Sequence, residues 1–265
     1  MNRLLGSIAV ALWGLVALPA AGAGLSGAVV MHGQGESPSQ VADLVSALQR
    51  ENVLVVAPEL PWSGRRSYDR SATDADAQVD AAISGLRDQG ARRVYLIGHS
   101  LGASYALRYG SRPGVNGIVA IAPNHAPESP LYITSFANEV RRARELIAQG
   151  KPQAILEFLD LHWGSLRTRA TATARSFLSY FDAAGPMNMT RNVQALRPDV
   201  LVLWIVPLGG DRGARQSALD LYKSLPYNAG SRLVELPVDY RNVTSASVPT
   251  IVDWMQDTVA YIRTD

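Results

Sequence analysis

The residues best suited to chemistry lie in the stretch Gly98-His-Ser-Leu-Gly102. An apolar run, Val94 to Ile97, leads into this stretch, and helix-forming residues up to Tyr109 follow it. The pattern predicts a strand, a sharp turn and a helix, with Ser100 at the turn and glycines where the chain passes too close for a side chain. A serine hydroxyl raised above a sheet edge in this way can attack a carbonyl carbon, which is the first step of acyl transfer.

A nucleophilic serine also requires donors for the negative charge that develops on the attacked oxygen. Leu101 opens the predicted helix, so its backbone N–H has no partner within the helix and carries part of the positive helix end. We therefore expect the N–H of Leu101 to be one oxyanion donor.

With this turn, the chain resembles a small α/β-hydrolase from about residue 24 onward. The loop His32-Gly33-Gln34-Gly35, which follows a predicted strand at 27–31, is similar to the loop that supplies the second oxyanion donor in that family. The resemblance implies that the donor is the backbone of Gly33 or Gln34, and we favour Gln34. His32 is expected to hold the loop through a side-chain hydrogen bond.

The same resemblance implies an acid and a histidine later in the chain. Asp211, which follows the apolar strand predicted at 200–206, matches the position of the triad acid. The histidine is expected in the loop 237–244, but Tyr240 or Arg241 occupies its place. Both side chains stay protonated at neutral pH, so neither is suited to accept the serine proton.

The chain's four histidines, His32, His99, His125 and His162, all precede the predicted acid. His125 is the candidate replacement base, because its loop adjoins the serine turn in this topology. Three interpretations remain open: a hydrolase with a relocated base, a degenerate hydrolase that binds an ester or acyl-type small molecule, and a structural or interaction protein. The retained serine turn, H-G-x-G loop and Asp211 weigh against the third, and no metal or organic cofactor is implied.

The alternation of predicted strands and helices indicates an α/β fold with a mostly parallel sheet flanked by helices. The segment from about 128 to 196 is too long for a simple crossover, and it resembles a helical cap inserted between the sixth and seventh strands of the hydrolase fold. Its pattern predicts helices at 137–149, 153–161 and 167–180. His162 and Trp163, between the last two, either line a pocket or pack the cap onto the body.

The first residues have the layout of a signal peptide: Arg3, an apolar run and the small residues Ala21-Gly-Ala23. Cleavage after Ala23 predicts a single domain at 24–265 and a periplasmic or secreted protein without stable membrane insertion. The net charge of +2 includes Arg3 and argues against a nucleic-acid partner. Because the chain has no cysteine, a thiol nucleophile and a disulfide are excluded.

Overall fold

The computed structural model of the chain describes residues 25–162, 166–209 and 212–261. The side chains of residues 162, 166, 167 and 259–261 are not part of that description. The predicted signal peptide, Trp163 and Asp211 therefore lie outside the described residues.

Six parallel strands form the central sheet, in the order β2-β1-β3-β4-β7-β8, and β5 and β6 form a separate antiparallel hairpin. The strands are β1 Leu25–Met31, β2 Leu54–Val56, β3 Ala91–His99, β4 Gly117–Ile121, β5 Ile155–His162, β6 Leu166–Thr173, β7 Leu201–Pro207 and β8 Arg232–Leu236.

The helices of the described chain alternate with these strands. They are α1 Ala42–Arg50, α2 Ala75–Asp88, α3 Leu101–Tyr109, α4 Pro130–Ala148, α5 Ala174–Phe181, α6 Met189–Gln194, α7 Arg212–Lys223, α8 Val243–Ala246 and α9 Val248–Tyr261. None of the helices in these described ranges is long and apolar enough to cross a membrane.

The sheet is buried on both faces, which explains the continuous apolar runs of its central strands. Val29, Leu96 and Trp204 contribute to the core on one face, and Val30 and Ile97 to the core on the other. The predicted α/β-hydrolase sheet, mostly parallel and flanked by helices, is confirmed. Because the strands are parallel, their carboxyl ends lie along one edge, and the loops that follow β1, β3, β4, β7 and β8 converge there.

The inserted segment differs in part from the predicted, mostly helical cap. Residues 153–161 and 167–180 were both expected to be helical, whereas β5 and β6 form a hairpin and only α5 is helical in the second range. From Ile155 to Asp160, exposed and buried residues alternate strictly, as in a strand with one face on the core. The alternating Thr and Ala residues of β6 carried the same period-two signal, and β-branched threonine favours strands.

Candidate active site

The turn at Ser100 has the geometry of a nucleophile elbow. Ser100 has φ 55° and ψ −119°, a backbone conformation that side-chain-bearing residues rarely adopt. A Cβ at Gly98 would lie 2.3 Å from the carbonyl of Gly102, and a Cβ at Gly102 would lie 2.6 Å from the carbonyl oxygen of His32. The two glycines therefore let β3, α3 and the loop after β1 approach one another, and Ser100 is presented at the sheet edge.

Two backbone N–H groups beside Ser100 have no hydrogen bond among the described residues. Leu101 is the first residue of α3, where an N–H has no partner inside the helix. In the loop after β1, Gly33 donates its N–H to Gln40 Oε1 at 2.7 Å, whereas the N–H of Gln34 makes no described hydrogen bond. Of the two alternatives from the sequence, Gln34 is therefore the one whose N–H is available to an oxyanion.

Buried side chains hold this loop in place. His32 Nδ1 donates to the carbonyl of Gly33 at 2.9 Å, and His32 Nε2 accepts the N–H of Leu60 at 3.1 Å. Burial lowers the pKa of His32, so the neutral ring makes both bonds at pH 7. His32 thus has the structural role expected from the sequence.

The hydroxyl of Ser100 takes part in a closed set of hydrogen bonds. Ser100 Oγ donates to Asn124 Oδ1 at 2.9 Å, and Asn124 Nδ2 donates to the hydroxyl of Tyr240 at 3.2 Å. The hydroxyl of Tyr240 in turn hydrogen-bonds the side chain of Ser100. Residue 240 therefore lies beside the serine, where a triad histidine would be expected, and we name these three residues the serine ring.

The serine ring contains no group that accepts a proton readily at neutral pH. Burial raises the pKa of Tyr240 to about 12, and its hydrogen bonds with Ser100 and Asn124 offset this only in part. The amide of Asn124 is not basic. Ser100 therefore rests as a neutral hydroxyl held by neutral partners.

His125 lies one residue beyond Asn124, but its ring faces the cap. Its Nε2 bonds the carbonyl of Tyr180 at 2.8 Å, and its Nδ1 bonds the hydroxyl of Tyr132 at 3.1 Å. The ring is fully buried, and burial lowers its pKa to about 4. The proposed role of His125 as the base stays a prediction, and the occupation of both ring nitrogens weighs against it.

His99 also borders the site, behind the serine ring. Its ring centroid lies 5.1 Å from that of Tyr240, and its Nδ1 accepts a hydrogen bond from Gln40 Nε2 at 2.9 Å. Burial lowers the pKa of His99 to about 4, so it is neutral at pH 7. We find no described hydrogen bond between His99 and Ser100.

The loops after β7 and β8 are bonded to each other, and this places Tyr240. Gly209 donates its N–H to the carbonyl of Val238 at 3.0 Å. A Cβ at Gly209 would lie 2.2 Å from Asp239 Oδ1 and 3.0 Å from its Cα, so a larger residue would require the side chain of Asp239 to move. Asp211 follows two residues later, outside the described residues, and its role as the acid stays a prediction. Arg241, the other candidate for the histidine position, is exposed.

A cavity of about 580 Å³ opens over the serine ring. Its polar lining residues include Gln34, Glu36, Ser100 and Asn124. Apolar side chains from the cap and α7 also line it, among them Leu131, Leu161, Met189, Ala218 and Leu221. A cavity lined by both polar and apolar side chains suits a small molecule with a carbonyl group and a hydrocarbon part. No metal-binding group of three His, Cys, Asp or Glu side chains occurs among the residues described.

The family assignment follows from the whole sequence. A family model described as the alpha/beta hydrolase family matches residues 28–252, which is most of the chain. The chain belongs to the alpha/beta hydrolase family. No curated protein matches it in sequence.

Solved structures with the alpha/beta hydrolase fold are similar to this chain over most of their length. One belongs to a study of the metagenome-derived lipolytic enzymes LipS and LipT, with 16% identity, a TM-score of 0.59 and coverage of 91% of this chain and 95% of that one. Paleococcus ferrophilus monoacylglycerol lipase is 21% identical, with a TM-score of 0.59 and coverage of 86% and 94%. The thioesterase domain from the curacin biosynthetic pathway is 16% identical, with a TM-score of 0.56 and coverage of 88% and 91%. At these identities the likeness shows the fold.

Proposed function

We propose that this alpha/beta hydrolase family member is a serine hydrolase-like protein that binds an ester or acyl-type small molecule through Ser100 and turns it over slowly at most. The serine ring is the observation that carries the proposal. In support, Ser100 lines the cavity, its hydrogen-bond partners are Asn124 and Tyr240, and the N–H groups of Gln34 and Leu101 make no described hydrogen bond. The lipases and thioesterase that share the fold support an ester or acyl ligand.

The absence of a basic partner in the serine ring has different effects on the two halves of an ester hydrolysis. A reactive aryl ester can acylate Ser100 slowly: the serine oxygen bonds the carbonyl carbon, the bond to the phenolate leaving group breaks, and the serine proton passes to water, while the two oxyanion donors lower the barrier. Release of the acyl group requires an activated water molecule, and loss of the histidine costs about a million-fold in kcat in a well-studied serine protease. An acyl group should therefore remain on the serine.

A fluorophosphonate probe tests the nucleophile. We expect slow, stoichiometric labelling of wild-type protein at Ser100, located by mass spectrometry of the labelled peptide. Ser100→Ala should abolish it. Ser217→Ala is the matched control, because Ser217 is an exposed serine that also lines the cavity and should not affect labelling. Labelling that survives Ser100→Ala unchanged would place the reactive group elsewhere.

An aryl ester of a short fatty acid tests turnover. We expect about one equivalent of phenolate and an acylated protein by intact mass, with little steady release afterwards. The second candidate is an active hydrolase with a relocated base. Vigorous wild-type turnover that His125→Ala abolishes, with the fold intact, would establish that candidate.

We further propose that the protein is exported and acts in the periplasm or outside the cell. The basic start, apolar run and small-residue site of the first 23 residues support this proposal.

A further inference from the structure

The cap contains a buried carboxylate that the chemistry of Ser100 does not use. Asp160 lies on β5 and is 4% exposed. Its Oδ2 accepts the hydroxyl of Tyr68 at 2.5 Å, and its Oδ1 accepts Gln34 Nε2 at 2.5 Å. No cationic side chain among the described residues pairs with it. A buried, unpaired carboxylate is destabilising, so an apolar residue would serve the packing of the hairpin better.

The partner of this carboxylate is the residue that carries the free oxyanion donor. Gln34 Nε2 bonds both Asp160 Oδ1 and the carbonyl of Leu161, at 2.5 and 2.9 Å, and both acceptors belong to β5. The neighbouring residues of the loop are held by the body instead: Gly33 by Gln40, and Gly35 by the carbonyl of Trp62 at 2.9 Å. Among the described hydrogen bonds, those of Gln34 itself therefore run to the cap.

We propose that Asp160 is a positioning residue, which fixes Gln34 from the cap and thereby aims the N–H of Gln34 at the oxygen of a ligand bound to Ser100. The cap hairpin and the oxyanion hole are then formed together. This inference rests on the proposed function, because it assumes that a carbonyl or phosphonyl oxygen occupies that hole.

Asp160→Leu tests the inference, because leucine has a similar size and offers no acceptor. We expect the limiting rate of fluorophosphonate labelling at saturating probe to fall by about tenfold or more, since loss of one oxyanion donor costs about a hundred- to a thousandfold. The probe concentration at half-saturation should stay the same. Gln34→Met removes the hydrogen bond between residues 34 and 160 by changing its donor. The variant that combines Gln34→Met with Asp160→Leu should therefore label no more slowly than the slower of the two single variants.

Two further variants separate positioning from simple packing. Asp160→Asn keeps an acceptor oxygen for Gln34 and should label at close to the wild-type rate. Glu157→Gln is the matched control, because Glu157 is an exposed carboxylate on the same strand, paired with Arg169, and should leave labelling unchanged. A Leu variant and an Asn variant that slow labelling equally, with folds intact, would overturn the inference.

Amide hydrogen exchange supplies a readout that does not require Ser100 to react. Exchange in a peptide spanning residues 33–36 should become faster in Asp160→Leu and in Gln34→Met than in the wild type. Unchanged exchange together with unchanged labelling overturns the inference and leaves the proposed function intact. Wild-type protein that is never labelled contradicts the proposed function instead, and the exchange result then decides the inference alone. If Asp160→Leu fails to fold, the other two variants test the inference. Gln34→Met should then slow labelling and speed exchange, and Asp160→Asn should label at close to the wild-type rate.

Discussion

The buried carboxylate of Asp160 predicts a specific dependence of stability on pH. Burial raises its pKa from 3.8 to about 7, because desolvation of the charged form outweighs the hydrogen bonds from Tyr68 and Gln34. Between these two values the folded protein holds a proton that the unfolded chain has released. The stabilisation from this group is therefore greatest below about pH 4 and is lost as the pH rises to about 7.

The size of the effect follows from the two pKa values. The full span corresponds to about 4 kcal/mol, and the part lost between about pH 5 and 8 is about 2.5 kcal/mol. In a domain of this size, a loss of about 2.5 kcal/mol lowers the melting temperature by about 5–10 °C. The buried histidines, whose pKa values are lowered, contribute in the opposite direction below about pH 6.5, so the variant must be compared with wild type at each pH.

The variant Asp160→Asn tests this dependence, because asparagine keeps the size of the side chain and an acceptor for Gln34 but does not titrate. We expect its melting temperature relative to wild type to be about 5–10 °C higher at pH 8 than at pH 5. Calorimetry or circular dichroism at several pH values would measure this, with Glu157→Gln as the control that shows no such trend. If the difference in melting temperature between Asp160→Asn and wild type stays constant from pH 5 to 8, Asp160 does not titrate in this range.

Three more outcomes are expected. Tyr240→His should raise steady hydrolysis of an aryl ester by about tenfold or more, and Asp211→Asn should then lower the restored rate by leaving the imidazole poorly oriented; no gain would show that a histidine at position 240 does not complete a working triad. Ser100→Gly should raise the free energy of unfolding by about 1 kcal/mol, because glycine relieves the strained backbone, and a loss of stability in denaturant titrations would contradict the strain. N-terminal sequencing of protein recovered outside the cytoplasm should begin at or near Gly24, whereas Met1 on a cytoplasmic protein would argue against export.

Much of the body could be predicted from sequence, because local pattern and chain order determine a parallel sheet with few alternatives. The strands predicted at 27–31 and 200–206 are found as β1 and β7, with bounds that agree to within two residues. The cap was harder to predict. Its run Ile155 to Leu161 is apolar enough for a helix or a strand, and pairing with β6, a tertiary contact, decides between them.

In the site, too, the local motif could be predicted from sequence, whereas the tertiary contacts could not. The serine turn is a local motif, so its residues were visible in the sequence. Asn124 follows β4 in the same loop as His125, but its hydrogen bond with Ser100 joins residues 24 positions apart, and the local sequence pattern does not reveal it. The bond between Gln34 and Asp160 spans 126 positions of the chain and joins two elements that the sequence alone does not bring together.

The strained backbone at Ser100 has a consequence for how easily catalysis could be gained in this scaffold. A turn with φ 55° depends on three segments packing against two glycines, and no single substitution could create it. A proton acceptor, in contrast, is one side chain at the end of a short loop. The strained serine turn, which is hard to acquire, is therefore already present in this chain. The proton acceptor, which is easier to acquire, is not part of the serine ring. On the proposed function, a histidine in the short loop 237–244 is the change that efficient hydrolysis requires, so we expect activity on new esters to be selectable from libraries restricted to residues 237–244.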